Sequence, residues 1–219
     1  LNEYSEIFDK VGCLYIGNLL SKEESEQALL KLFISKENGQ HVTDGMGYEI
    51  SFSKGELNYL CEKIRPTLEK ILDKKLSQTY SYARIYKHGD ELEIHTDRTS
   101  CEVSVSITLG YGGESIWPFC FMDVEHTKPH ISFVDGIEYF GEKIEDYDPS
   151  HLQKIEIGIG DAILYKGMEV AHGRKKYEEG LWQAQVFLHF VDLNGLNANH
   201  ANDVIVVRRR MEDINGTRN

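Results

Sequence analysis

Val103-Ser104-Val105-Ser106-Ile107-Thr108 reads as a β-strand with two unlike faces. Successive side chains of a strand point to opposite sides, so Val103, Val105 and Ile107 share one face and Ser104, Ser106 and Thr108 the other. An apolar face opposite a small, polar one is the pattern of a strand that packs on a core and lines a cavity. The run extends over Glu102–Leu109, and short runs of similar texture surround it: Tyr80–Tyr86, Phe119–Met122, Ile155–Ile157, Ala162–Tyr165 and Gln183–Val191. Gly, Asp, Asn and Pro separate them, which predicts an antiparallel β-sandwich or barrel.

Upstream the texture is different. Val11–Ile16 reads as a short strand, and Asn18-Leu19-Leu20-Ser21 leads into a helix. Ser21 and Glu24 have capping-box spacing, and Leu29, Leu30, Leu32 and Phe33 supply an apolar face. A second helix is predicted from about Glu56 to Leu72, with Leu57, Leu60, Cys61, Ile64, Leu68, Ile71 and Leu72 at helical spacing. Pro66 is expected to kink or divide it. His41–Lys54, rich in Gly and polar residues, reads as a loop, and Glu125–His151 as a charged insertion or hairpin over one rim. The tail from Asn194 contains Val204–Val207, an added edge strand or an interaction tail. The expected organisation is one domain over 1–219, with an N-terminal strand and helices over about 1–78, a β core over 79–192 and a tail over 193–219.

The 219 residues are 41% hydrophobic and 11% aromatic, enough for a sizeable core. The formal net charge of −12 disfavours nucleic acid or an anionic membrane as partner. The dense basic run, Arg208-Arg209-Arg210, is followed by Glu212 and Asp213 and reads as a solvated tail. No stretch is long and apolar enough to span a bilayer. Cys13, Cys61, Cys101 and Cys120 form no CxxC pair. Reduced thiols and a cytoplasmic location are the expectation.

The residues that point to chemistry are His95-Thr96-Asp97 and, far downstream, His172. On a strand His95 and Asp97 face the same way. Gly89-Asp90 marks a turn before that strand, and Gly160-Asp161-Ala162-Ile163-Leu164-Tyr165 reads as a turn entering a buried strand ahead of His172. Two imidazoles and one carboxylate form the facial triad that binds non-haem Fe(II) and leaves positions open for chemistry. The same donors also suit an open zinc site that activates water for hydrolysis.

The chain resembles the Fe(II)- and 2-oxoglutarate-dependent oxygenases, nearest in texture to the prolyl 4-hydroxylase-like group. The resemblance rests on Asn18-Leu19-Leu20-Ser21 entering an acidic helix, Tyr86 and Gly89 ahead of His95-Thr96-Asp97, Gly160–Tyr165 leading to His172, and the final strand Gln183–Val191. It implies a double-stranded β-helix, or jelly roll, with N-terminal helices supporting one sheet. It implies that His95, Asp97 and His172 are both metal ligands and catalytic residues. It also implies 2-oxoglutarate as cosubstrate, with ascorbate as an accessory reductant, and hydroxylation of an unactivated C–H bond with release of succinate and CO2. Halogenating members lack the carboxylate, so Asp97 implies hydroxylation. A prolyl peptide, a free amino acid or another small metabolite are the candidate substrates.

One feature departs from the family. Its members usually place an Arg or Lys about ten residues after the distal histidine, to pair bidentately with the far carboxylate of 2-oxoglutarate. Here that region reads Gly180-Leu181-Trp182-Gln183. Arg174 is the leading substitute, with Tyr86 as a second cosubstrate-binding residue and Arg84 and Lys166 as further candidates. Trp117-Pro118-Phe119 and Trp182 are candidate pocket residues. His88, His126, His130, His151 and His200 read as structural or surface residues, while His189 lies on a strand that could face the cavity. Besides the zinc hydrolase, the alternative reading is a jelly-roll module that keeps a metal for structure alone.

Overall fold

The computed structural model describes residues 2–41, 48–51, 57, 59–127, 131–134, 137–140, 143–144 and 146–203. The elements in chain order are α1 (Glu3–Val11), β1 (Cys13–Ile16), α2 (Lys22–Glu37), β2 (Tyr48–Ser51), α3 (Tyr59–Leu72), β3 (Leu76–Lys87), β4 (Leu92–His95) and β5 (Val103–Gly113). β6 (Phe119–Phe121), β7 (Ile131–Val134), β8 (Ile137–Phe140), β9 (Gln153–Ile155), β10 (Ala162–Tyr165), β11 (His172–Arg174) and β12 (Gly180–Asp192) follow. A six-stranded sheet has the order β1-β10-β5-β12-β3-β2, and a four-stranded sheet the order β4-β11-β6-β9, with antiparallel pairing throughout. β7 and β8 form a separate hairpin, within the stretch expected to cap one rim.

The two faces of β5 do what their chemistry requires. Val103, Val105, Ile107 and Leu109 join Ala184, Val186, Leu188 and Phe190 of β12 in the main core, together with Ala28 and Leu32 of α2 and Leu60, Ile64 and Leu68 of α3. Each of the larger of these side chains contributes about 1.5–3 kcal/mol when fully removed from water. On the other face Ser104, Ser106 and Thr108 are equally buried, so their hydroxyls need partners. Ser106 Oγ donates to Gln185 Oε1 (3.1 Å), and Gln185 Nε2 donates to Thr108 Oγ1 (2.9 Å). The polar face therefore zips β5 to β12 from within the jelly roll, while the apolar face carries the helices.

The helices follow local rules. Ser21 and Glu24 form the expected capping box: Glu24 N donates to Ser21 Oγ (3.2 Å) and Ser21 N to Glu24 Oε2 (2.9 Å). α3 runs through Pro66 as one helix, so the proline does not divide it; Pro66 lies on the exposed face. α1 was not expected from the sequence. Asn2 caps it by accepting from Ser5 N (2.9 Å), and Gly12 ends it at φ +85°, a conformation glycine adopts without strain.

Other expectations shift. β2 lies inside the segment read as a loop, whose residues 42–47 and 52–56 are outside those described. β9 covers Gln153–Ile155 rather than Ile155–Ile157. The tail residues Val204–Val207 and Arg208–Arg210, and His130, also lie outside the described residues. The four cysteines are buried free thiols. Among the described residues no helix is long and apolar enough to cross a membrane.

Candidate metal centre

β4 and β11 are neighbours in the smaller sheet, with His95 and His172 directly opposite each other. Their ring centroids are 4.5 Å apart. β4 ends at His95, so Asp97 sits just beyond the strand rather than on it. It is held in line because its N–H donates to the Gly167 carbonyl (2.7 Å). The carboxylate then faces both rings: His95 Nε2 is 3.5 Å from Asp97 Oδ1, and His172 Nε2 is 3.5 Å from Asp97 Oδ2. The three candidate ligand atoms lie within 4.8 Å of one another, and this set could hold a metal ion.

The tautomers are fixed from the backbone. His95 Nδ1–H donates to the Glu93 carbonyl (2.8 Å) and His172 Nδ1–H to the Val170 carbonyl (2.8 Å). A carbonyl only accepts, so each Nδ1 carries the proton and each Nε2 keeps a lone pair turned toward Asp97. Ligating histidines are oriented in this way by their outer partners. Burial, only partly offset by the Asp97 charge, pushes His172 down to about 4, so the ring is neutral at physiological pH. Burial works against charge on His95 too, but the Asp97 carboxylate outweighs it and raises that pKa. Burial would likewise raise Asp97, but His172, His95 and His189 hold it well below the usual carboxylate range. The donor set thus fits a divalent cation.

Behind the carboxylate the packing is tight. A Cβ on Gly167 would come 2.5 Å from Asp97 Oδ2, 2.5 Å from the Cys101 carbonyl and 2.7 Å from Ser104 Oγ. Two of these neighbours cannot yield without moving backbone or the candidate ligand. Gly167→Ala is therefore expected to lower Co(II) or Fe(II) affinity by about tenfold or more, the scale set by disturbed outer partners. Metal titration checks this, and unchanged affinity would contradict the packing account.

The other sequence candidates separate clearly. Arg174, two residues beyond His172, is 1% exposed. Its guanidinium lies 5.3 Å from the Trp117 ring centroid and 5.7 Å from that of Phe119, whose ring also stacks on His172 at 5.8 Å. Nη1 donates to the Trp117 carbonyl, while Nη2 has no hydrogen-bond partner among the described residues. Burial lowers its pKa to about 10, which leaves it charged at neutral pH. Tyr86 packs edge-on against Trp117 at 5.0 Å, and its phenol contributes to the electrostatics of Arg174. Arg84 is buried, with its guanidinium 5.8 Å from the Tyr86 ring.

Lys166 does not reach the cavity; it pairs with Asp9 and Glu169, each at 3.5 Å. Trp182 lies on the helix side, edge-on to Phe33 at 5.3 Å and packed against the main core. His189 is buried near the site, with Nδ1 2.9 Å from Ser104 Oγ and its ring 4.5 Å from that of Tyr80. Asp97, Cys101 and His189 also have donor atoms within 4.8 Å of one another. Sequence reasoning did not single out Ser104, Gln183 or Gln185 as residues around the site. The only signal for Ser104 was its place on the polar face of β5.

No family model and no curated relative matches the sequence. Solved structures do match in fold. HygX from Streptomyces hygroscopicus, with nickel and 2-oxoglutarate bound, is 13% identical, covers 89% of this chain and 88% of its own, and has a TM-score of 0.64. The non-haem 2-oxoglutarate-dependent epimerase SnoN from nogalamycin biosynthesis is 11% identical over 86% of this chain and 82% of its own, with a TM-score of 0.68. AviO1 from Streptomyces viridochromogenes Tue57 is 14% identical over 88% of this chain and 95% of its own, with a TM-score of 0.62. At these identities the likeness is one of fold. The chain has the jelly-roll fold of non-haem, iron- and 2-oxoglutarate-dependent enzymes.

Proposed function

We propose that the chain is an Fe(II)- and 2-oxoglutarate-dependent oxygenase, a single domain over 1–219, that hydroxylates a small-molecule substrate. His95, Asp97 and His172 hold the iron; Arg174, with Tyr86 beside it, holds the far carboxylate of 2-oxoglutarate. The observation that carries the reading is the Arg174 guanidinium: buried, charged, two residues along the strand from His172, and with Nη2 lacking a partner among the described residues. A buried charge without a counter-ion costs several kcal/mol, and an incoming carboxylate removes that cost with charge-assisted hydrogen bonds. A zinc hydrolase or a purely structural metal site gives this cation no task.

Bound iron would supply activation of O2 for oxidation of a C–H bond. The protein's own residues set the conditions. The Glu93 and Val170 carbonyls hold the Nδ1 protons, so both Nε2 lone pairs would be free for the metal, and Asp97 would supply negative charge. Tyr165 and Phe119 pack on His172 at 4.6 and 5.8 Å, which shields that side from water. His95 and Asp97 keep side-chain exposures of 25% and 17%, so the open approach for substrate is on their side.

The substrate class is taken from fold neighbours: HygX has been seen with hygromycin B and SnoN with nogalamycin RO. SnoN is an epimerase and SnoK a carbocyclase, so the fold also serves oxidations that do not end in hydroxylation. The carboxylate Asp97 in the ligand set argues against halogenation, and hydroxylation is the outcome proposed here. Incubation with Fe(II), 2-oxoglutarate and O2 is expected to release succinate slowly without substrate and faster with one, together with a product heavier by one oxygen. Zinc-supported activity indifferent to 2-oxoglutarate would overturn the proposal.

A further inference from the structure

Gln183 lies in the stretch Gly180–Gln183, where the resemblance leads one to expect a basic residue. Its side chain is fully buried and committed to one peptide unit. Trp117 N donates to Gln183 Oε1 (2.8 Å), and Gln183 Nε2 donates to the Trp117 carbonyl (3.2 Å). The same carbonyl accepts from Arg174 Nη1, filling its second lone pair. Trp117 is fixed at its other end as well. Its indole N–H donates to the Lys175 carbonyl (2.5 Å), and its ring stacks on Tyr177 at 4.9 Å.

We propose that Gln183 is a positioning residue for cosubstrate recognition: by clamping the Trp117 peptide it aims Arg174 so that Nη2 can meet the far carboxylate of a 2-oxo diacid. This rests on the oxygenase reading above. An unrestrained arginine samples many rotamers, and one anchored through Nη1 to a fixed carbonyl keeps its fork in a single direction. The cation thus lies on β11 and its neutral clamp on β12. A second cation at 183 would repel Arg174, while an amide both donates to and accepts from the peptide it holds.

The test compares 2-oxoglutarate with 2-oxopentanoate, which has the same chain length and the same metal-binding end but no far carboxylate. Anaerobic titration of the Fe(II)-loaded protein gives both affinities. Wild type is expected to prefer 2-oxoglutarate. Gln183→Leu and the volume-conserving Gln183→Met are expected to weaken 2-oxoglutarate about tenfold, the scale of a small misalignment of a binding group, and to leave 2-oxopentanoate unchanged. Gln183→Glu keeps the size but sets a carboxylate beside Arg174, so it should weaken 2-oxoglutarate further. Equal loss of both acids would mean a merely structural role and overturn the proposal, as would no loss of either. If wild type shows no preference, the role given to Arg174 fails first and takes this inference with it. Should the Leu variant not fold, Met and Glu carry the same comparison.

Discussion

His172→Ala is expected to abolish tight metal binding and any iron-dependent activity while leaving the chain folded. Of the three candidate ligands His172 is the most buried, and its ring is aimed by the Val170 carbonyl and packed between Tyr165 and Phe119. Removing it leaves His95 and Asp97, which do not define an open three-ligand site. Loss of an outer partner alone costs about 10–100-fold in metal affinity, so loss of the ligand itself should exceed roughly 100-fold. Titration with Fe(II) or Co(II) measures this directly. His88→Ala is the control, since His88 is exposed and belongs to none of the candidate donor sets among the described residues. Retention of stoichiometric iron by His172→Ala would remove the triad from consideration.

Arg174→Leu is expected to separate function from stability. The apoprotein should be no less stable than wild type, because an apolar side chain among Trp117, Phe119 and Tyr86 replaces a buried guanidinium whose Nη2 has no partner among the described residues. Exchanging buried charge for an apolar group of similar size is often neutral or stabilising. Affinity for 2-oxoglutarate should fall by about 3 kcal/mol, or roughly 150-fold, the scale of truncating one side of a buried charge pair. Thermal unfolding and anaerobic titration give the two numbers. A large drop in melting temperature with unchanged 2-oxoglutarate affinity would make Arg174 a structural residue.

The features legible in the sequence are those written in local chemistry. The Val/Ser alternation of β5 carries both of its faces, Ser21 and Glu24 specify the start of α2, and Ala162–Tyr165 is a strand of four buried residues. The candidate donors His95, Asp97 and His172 stand out in the sequence because their types are rare in that combination, and the sheet sets His95 and His172 directly opposite each other on β4 and β11. β11 was not legible: three residues carry no periodicity, and the strand exists because β4 and β6 pair with it from both sides.

Arg174 was ambiguous for a related reason. In Arg174-Lys175-Lys176-Tyr177-Glu178-Glu179 all the charges look solvated, and Lys175, Lys176, Glu178 and Glu179 are exposed. Arg174 alone among them is buried, packed against Trp117 and Phe119 from distant parts of the chain. Trp182 and Lys166 were misplaced because strand position alone does not say which side of the sheet is the cavity: Trp182 faces the helices, and Lys166 turns to Asp9 and Glu169. Asp97 keeps its direction beyond the end of β4 through the Gly167 carbonyl, a contact between distant segments that no local pattern announces.

In the proposed site, His95, Asp97 and His172 would hold iron and Arg174 would hold 2-oxoglutarate. Anaerobic titration of the purified chain with Fe(II) and then 2-oxoglutarate, followed by visible absorption, tests it most directly. The account predicts a metal-to-ligand charge-transfer band that saturates at one 2-oxoglutarate per chain, disappears in His172→Ala and needs far more 2-oxoglutarate in Arg174→Leu. A chain that binds zinc in preference to iron and shows no band at any 2-oxoglutarate concentration would contradict it.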